Sequence, residues 1–144
     1  MNQDKDFITD RIPHRDPFLW LDRVVELSED HILAEKHFSP DLSLFGGHYP
    51  DYPLVPGVIL CEAVFQAGAL LIGELFRDAE GTDGVPVLTR ILGAKFKREV
   101  RPGDTVAINA VLKEYVGSAW FLKGQVRVRG KRAVQVEFAC MLKG

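Results

Sequence analysis

One stretch constrains this chain more than any other: the run PGVILCEAVFQAGALLIGELF that opens at Pro56. Wound as a helix, its apolar residues Val58, Leu60, Cys61, Val64, Phe65, Ala69, Leu71 and Ile72 point in nearly every direction. A helix that is apolar all round has to be enclosed, by the rest of a core or by a bilayer. Its length is borderline for a membrane span. Three residues argue against one: Glu62, Gln66 and Glu74 would lie at membrane depth, where charge is costly, and no basic flank anchors either end. The run therefore predicts a buried helix that starts near Pro56-Gly57 and ends near Arg77. Proline suits the first turn, where its missing N–H has no partner to lose.

Something must wrap that helix, and the remainder of the chain supplies strands. Residues 18–27 alternate in strand fashion, 28–30 turn, and 31–38 return as a second strand. Residues 7–11 suit a short turn of helix, and the IPHRDP stretch a rigid connector. Residues 39–56, rich in Gly, Pro, Asp and Tyr, read as a long ordered loop, and such loops inside compact domains are often functional. After a loop at 78–86 come four β-like segments, 87–100, 105–116, 119–129 and 132–142, punctuated by Pro102-Gly103-Asp104, Gly117-Ser118 and Gly130-Lys131. The expected class is α+β, an antiparallel sheet around one helix, in a single domain over residues 1–144. A six-stranded sheet of this kind leaves edges open, which suggests dimerisation by joining sheets edge to edge.

Charge adds a second constraint. The net charge of −2 conceals an asymmetry: residues 1–89 carry 6 Lys/Arg against 16 Asp/Glu, and residues 90–144 carry 12 against 4. Such a split marks a docking surface for a charged partner, or two halves that attract each other once folded. Cys61 and Cys140 lack metal-site spacing and read as buried free thiols of a reducing cytoplasm. The polar, acidic opening MNQDKD does not resemble a signal peptide. No glycine-rich phosphate loop is present, and the basic segments lack the module context of nucleic-acid binding.

Glu62 and Gln66, four apart, share a helix face. Burial favours the protonated Glu62 carboxyl while the helix dipole favours its anion. Where desolvation wins, Glu62 can act as a general acid, oriented by Gln66. Fourteen residues upstream His48 sits in GGHYP, a turn whose glycines and proline restrict the backbone, and a neutral imidazole there can serve as a base. The N–H of Gly57, at the helix start, can hold a carbonyl oxygen that gains negative charge. A base, an acid and an oxyanion donor are what β-elimination beside a carbonyl requires. The residue types alone leave open a purely structural role for each.

Three segments, PHRDPFLWLDRV, GGHYPDYPLVPGVILCEAVFQAGALL and AKFKREVRPGD, resemble the 3-hydroxyacyl-acyl-carrier-protein dehydratases of bacterial fatty acid synthesis, in order and across roughly residues 11–142. The resemblance implies a hot-dog fold, with His48 and Glu62 as the catalytic pair meeting across a dimer interface. It implies Gly57, with Val58 beside it, at the thioester carbonyl, and Gln66 supporting the acid. It further implies an acyl chain delivered on the phosphopantetheine of acyl carrier protein, no metal or organic cofactor, and a trimer of dimers. Because that carrier is acidic, Lys95, Lys97, Arg98 and Arg101 become candidate docking residues, of which only Lys97 and Arg98 fall within a family motif. Where the family usually has Gly-Lys after His-Tyr-Pro, this chain has Asp51-Tyr52. Dehydratase-isomerase relatives carry Asp at the acid position, so Glu62 favours dehydration without isomerisation. His14 also matches a family motif and reads as a hydrogen-bonding residue of the connector. A hot-dog thioesterase and a non-catalytic carrier-binding module of a specialised lipid or polyketide pathway are the rival readings.

Overall fold

The computed structural model describes residues 3–76 and 84–143. A short helix α1 (Lys5–Thr9) is capped by Asp4, whose carboxylate accepts the N–H of Asp6 and Phe7. Strands β1 (Arg23–Leu27) and β2 (His31–His37) form a hairpin; a four-residue helix α2 (Leu44–Gly47) interrupts the long loop; then comes α3 (Gly57–Phe76). Strands β3 (Val85–Phe96), β4 (Thr105–Val116), β5 (Ala119–Val128) and β6 (Lys131–Lys143) complete the chain. All neighbours pair antiparallel, in the order β1-β2-β4-β5-β6-β3.

The sheet curls around α3. Val64, Leu70 and Leu71 are fully buried against inward residues such as Ile108, Leu122 and Phe138. By length and composition α3 could cross a membrane, yet most of it is buried inside the protein. Two glycines permit the close approach of helix and sheet. A Cβ on Gly124 of β5 would strike Val64 and lie 2.6 Å from the Asn109 carbonyl; one on Gly68 would lie 2.9 Å from the Phe138 ring. Cys61 and Cys140 are free and buried, as their apolar surroundings predict.

Two expectations need correction. Residues 18–22 are not strand despite their alternation, and β1 begins at Arg23. Their polar backbone groups go elsewhere: Phe18 O and Trp20 N to the Gln66 side chain, Asp22 N to Glu35 O. The segment expected at 87–100 runs from Val85 to Phe96 instead, and the loop expected at 78–86 lies largely outside the described residues.

Strand β3 is a sheet edge whose apolar residues stay uncovered: Ile91 is 54% exposed and Phe96 56%. An exposed apolar edge of this length is a pairing surface.

Candidate active site

Gln66 organises one half of the site. Its side chain is fully buried and its bonds fix its orientation. Trp20 N–H can only donate, so the atom it meets at 2.8 Å is the amide oxygen of Gln66. The amide NH₂ then points the other way, donating to Phe18 O at 2.9 Å and to Glu62 Oε2 at 3.0 Å. Glu62 Oε2 is thus an accepting atom, and a carboxyl proton belongs on Oε1. The helix spacing of four supplies Glu62, and the chain before β1 supplies the other two partners.

Glu62 borders a cleft of about 260 Å³ with Phe65, Ala69, Val87, Leu88, Cys140 and, unexpectedly, His14. His14 Nε2 stands 3.6 Å from Glu62 Oε2. Arg15 holds the connector in place, donating to Ile12 O and His14 O at 2.8 Å each and to Thr9 O at 2.9 Å. Burial pushes the His14 imidazolium below the ordinary histidine range; the Glu62 charge opposes this and Arg15 adds to it. Burial, with the Glu62 charge second, pushes the Cys140 thiol up to about 12. That sulfur is a protonated wall of the cleft, not a nucleophile.

His48 caps the C-terminus of α2. Its Nδ1 lies 3.0 Å from Leu54 O. A carbonyl only accepts, so Nδ1 carries the proton and the neutral ring presents a bare Nε2. Tyr49 follows with φ 49°, a left-handed backbone that bulky residues rarely adopt and that clusters at functional sites. Gly57 begins α3 with no residue four back to bond, so its N–H and that of the 70%-exposed Val58 remain available. A Cβ at Gly57 would lie 2.6 Å from the Phe96 ring. Gly57, Leu54, Phe96, Lys97, Arg98 and Glu99 border a second cleft, about 420 Å³. Tyr52 Oη donates to Glu99 Oε2 at 2.8 Å, which ties the His48 loop to the segment that follows β3. That bond and the Glu99 charge raise the Tyr52 phenol above its ordinary value.

Of the residues singled out from sequence, one chain brings Glu62 and Gln66 together, and Gly57 with Lys97 and Arg98. His48 borders neither cleft. Both clefts touch β3, at opposite ends of its exposed edge. Lys95 lies in a different groove with Gly93, Gln135 and Glu137 and so stands apart from Lys97 and Arg98, while Arg101 sits 3.9 Å from Glu99 of the Gly57 cleft. His31 meets Glu26 and Ser28, and His37 meets Thr105, both far from this chemistry. His14, expected as a hydrogen-bonding residue of the connector, turns its Nε2 toward Glu62.

The family model of the FabA-like domain matches residues 12–137. The 3-hydroxyacyl-acyl-carrier-protein dehydratase FabZ of Rickettsia akari is 38% identical over 137 residues, covering 94% of this chain and 93% of the relative. The chain belongs to this dehydratase family. The enzyme of the same name from Burkholderia cenocepacia is 40% identical over 147 residues, covering 99% of this chain and 93% of its own. Among solved structures, the dehydratase heterocomplex ApeI:P of Xenorhabdus doucetiae superimposes with a TM-score of 0.79 at 18% identity, covering 95% of this chain and 91% of that one. A hypothetical thioesterase protein with coenzyme A from Streptococcus pneumoniae gives 0.68 at 14% identity, covering 97% and 96%. At such identities these two speak to the fold, and the fold is the hot-dog.

Proposed function

We propose that this dehydratase removes water from (3R)-3-hydroxyacyl thioesters on acyl carrier protein, giving trans-2-enoyl thioesters in fatty acid biosynthesis, at a site built by two protomers. One observation carries the division of labour: the complementary tethering of His48 and Glu62. His48 gives up its Nδ1 proton position to Leu54 O and offers Nε2 as base. Glu62 accepts through Oε2 and offers Oε1 as acid. In the reaction Nε2 takes the C2 proton, the electron pair forms the C2–C3 double bond, and the C3 hydroxyl leaves as water with the Oε1 proton. The Gly57 N–H, with Val58 beside it, holds the thioester oxygen as it gains charge.

The exposed edge of β3 supports assembly. Antiparallel pairing of β3 with its copy is self-complementary and covers Ile91, Leu92 and Phe96 together with the flanks of both clefts. It would bring His48 of one protomer to Glu62 of the partner subunit; three such dimers form the proposed assembly. The reading treats the chain as one domain, needs no metal or organic cofactor beyond the carrier's phosphopantetheine, and places the enzyme in the cytoplasm. Lys97 and Arg98, at the mouth of the Gly57 cleft, are the proposed contacts for the acidic carrier.

Hydration, the reverse reaction, tests this. The protein is incubated with a short trans-2-enoyl thioester of acyl carrier protein and the product is weighed. The expected result is a gain of one water, lost by about 10²–10⁴-fold in Glu62→Gln and in His48→Ala. Full activity in Glu62→Gln refutes the acid assignment. Free carrier thiol without hydration would mean a thioesterase.

A further inference from the structure

We infer that His14 is a positioning residue for Glu62: with the Gln66 amide it holds Oε2 as the accepting end of the carboxyl and so commits Oε1 to the departing hydroxyl. The inference rests on the acid role proposed for Glu62. It starts from two observations. His14 Nε2 faces Glu62 Oε2 at 3.6 Å, and His14 Nδ1 is buried with no hydrogen-bond partner among the described residues.

These two facts choose a tautomer. A proton on Nδ1 would leave a buried N–H orphaned and would aim a lone pair at a carboxylate. A proton on Nε2 instead faces the carboxylate, leaving only an acceptor unpaired. Burial lowers the pKa of the imidazolium, which favours the neutral ring. Two charges act on it, Glu62 favouring the imidazolium and Arg15 disfavouring it. From α3 comes Glu62, and from β6 comes Cys140, whose thiol stays protonated. The β3 wall of Val85, Pro86, Val87 and Leu88 is uncharged, and Arg15 turns to backbone carbonyls. At 3.6 Å the contact is longer than a hydrogen bond. Catalytic contacts often tighten only when substrate binds.

A neutral donor at that place acts late. While Glu62 holds its proton, Oε2 gains little from Nε2–H. Once Oε1 has passed its proton to the hydroxyl, the charge spreads to Oε2, and two N–H groups meet it. Stabilisation that grows as the reaction proceeds raises kcat rather than tightening substrate binding. Distance along the chain, 48 residues, hides the pairing from any local reading.

The test compares three substitutions in the intact enzyme in the dehydration direction, with a (3R)-3-hydroxyacyl thioester of acyl carrier protein as substrate and the enoyl product read by mass. In His14→Gln the amide nitrogen can occupy the place of Nε2; in His14→Asn it reaches only the place of Nδ1; His14→Leu supplies neither. Loss of a donor to a charged group predicts a fall in kcat on the order of 10- to 100-fold for His14→Leu and His14→Asn, with KM nearly unchanged. His14→Gln should recover most of it. In a Glu62→Gln background, His14→Leu should cost nothing further. Melting temperatures of the three variants should not follow the activity order. Wild-type kcat in His14→Leu, equal losses in His14→Gln and His14→Asn, or additive losses with Glu62→Gln would each overturn the inference. If Glu62→Gln is itself fully active, the acid assignment fails and takes this inference with it. If Glu62→Gln is inactive and His14→Leu is not, only the inference fails.

Discussion

Replacing Gln66 with Met tests stability and catalysis through one side chain. Methionine matches the length of glutamine and packs in irregular cores, so the change removes hydrogen bonds with little change of shape. Three bonds go: Trp20 N–H loses its acceptor at 2.8 Å, Phe18 O its donor at 2.9 Å, and Glu62 Oε2 its donor at 3.0 Å. The three losses differ. Trp20 is only 6% exposed, so its N–H stays unpaired, at about 1–3 kcal/mol. Phe18 is 49% exposed and water can replace its partner. Sparing the desolvation of the Gln66 amide offsets part of the cost. A net loss of about 2 kcal/mol follows, a fall in Tm of roughly 4–8 °C for a chain of this size. Glu62 loses a charge-assisted bond, about 1.5–3 kcal/mol in the carboxylate state, so kcat should fall on the order of 10- to 100-fold. Calorimetry and dehydration of a (3R)-3-hydroxyacyl thioester of acyl carrier protein, run on one preparation, read both. A Gln66→Met protein with the wild-type Tm and wild-type kcat would refute the argument that this amide pins the carboxyl.

Other outcomes follow from the packing and the raised acid constants. Gly124→Ala places a methyl group against Val64 and the Asn109 carbonyl and should destabilise by about 3 kcal/mol or fail to fold, read by denaturant titration. Cys61 and Cys140 should not react with an aromatic disulfide reagent in the native protein and should both react in denaturant; burial raises both thiols, Cys140 to about 12. The Tyr52 phenol should titrate above its ordinary value of 10.0 in an ultraviolet tyrosinate titration, and return toward that value in Glu99→Gln. Because the folded value is raised, the Tyr52–Glu99 tie is fully present below pH 10 and is lost as pH rises through the folded value. Charge reversal of both Lys97 and Arg98 should raise KM for a carrier-bound substrate at low salt, with less effect on a pantetheine thioester, measured by steady-state kinetics.

Much of the fold was legible because it rests on local pattern. The run at α3 is apolar on every side, and only a surrounding sheet satisfies it. Strand β4 occupies the expected residues because alternation and the flanking Pro102-Gly103-Asp104 and Gly117-Ser118 turns coincide. Residues 18–22 show the limit. They alternate as a strand would, but a buried amide 46 residues away competes for Trp20 N–H, and tertiary bonding overrides the pattern. The four basic residues 95, 97, 98 and 101 illustrate a second limit. Strand β3 ends at Phe96, so the alternation that would put Lys97 on the face of Lys95 stops short of it, and Lys97 borders the Gly57 cleft while Lys95 lies in another groove.

By itself the sequence determined one enclosed helix, an antiparallel sheet to enclose it, and an acid four residues from an amide on that helix. Those follow from periodicity and spacing, which a chain carries locally. Tertiary structure alone decided which oxygen of Glu62 accepts, which nitrogen of His48 is bare, and that His14 stands beside the acid. Each depends on a backbone carbonyl, an N–H or a ring brought in by the fold, and for Glu62 and His14 from dozens of residues away. Hydrogen bonds have direction, and direction exists only once the chain is folded.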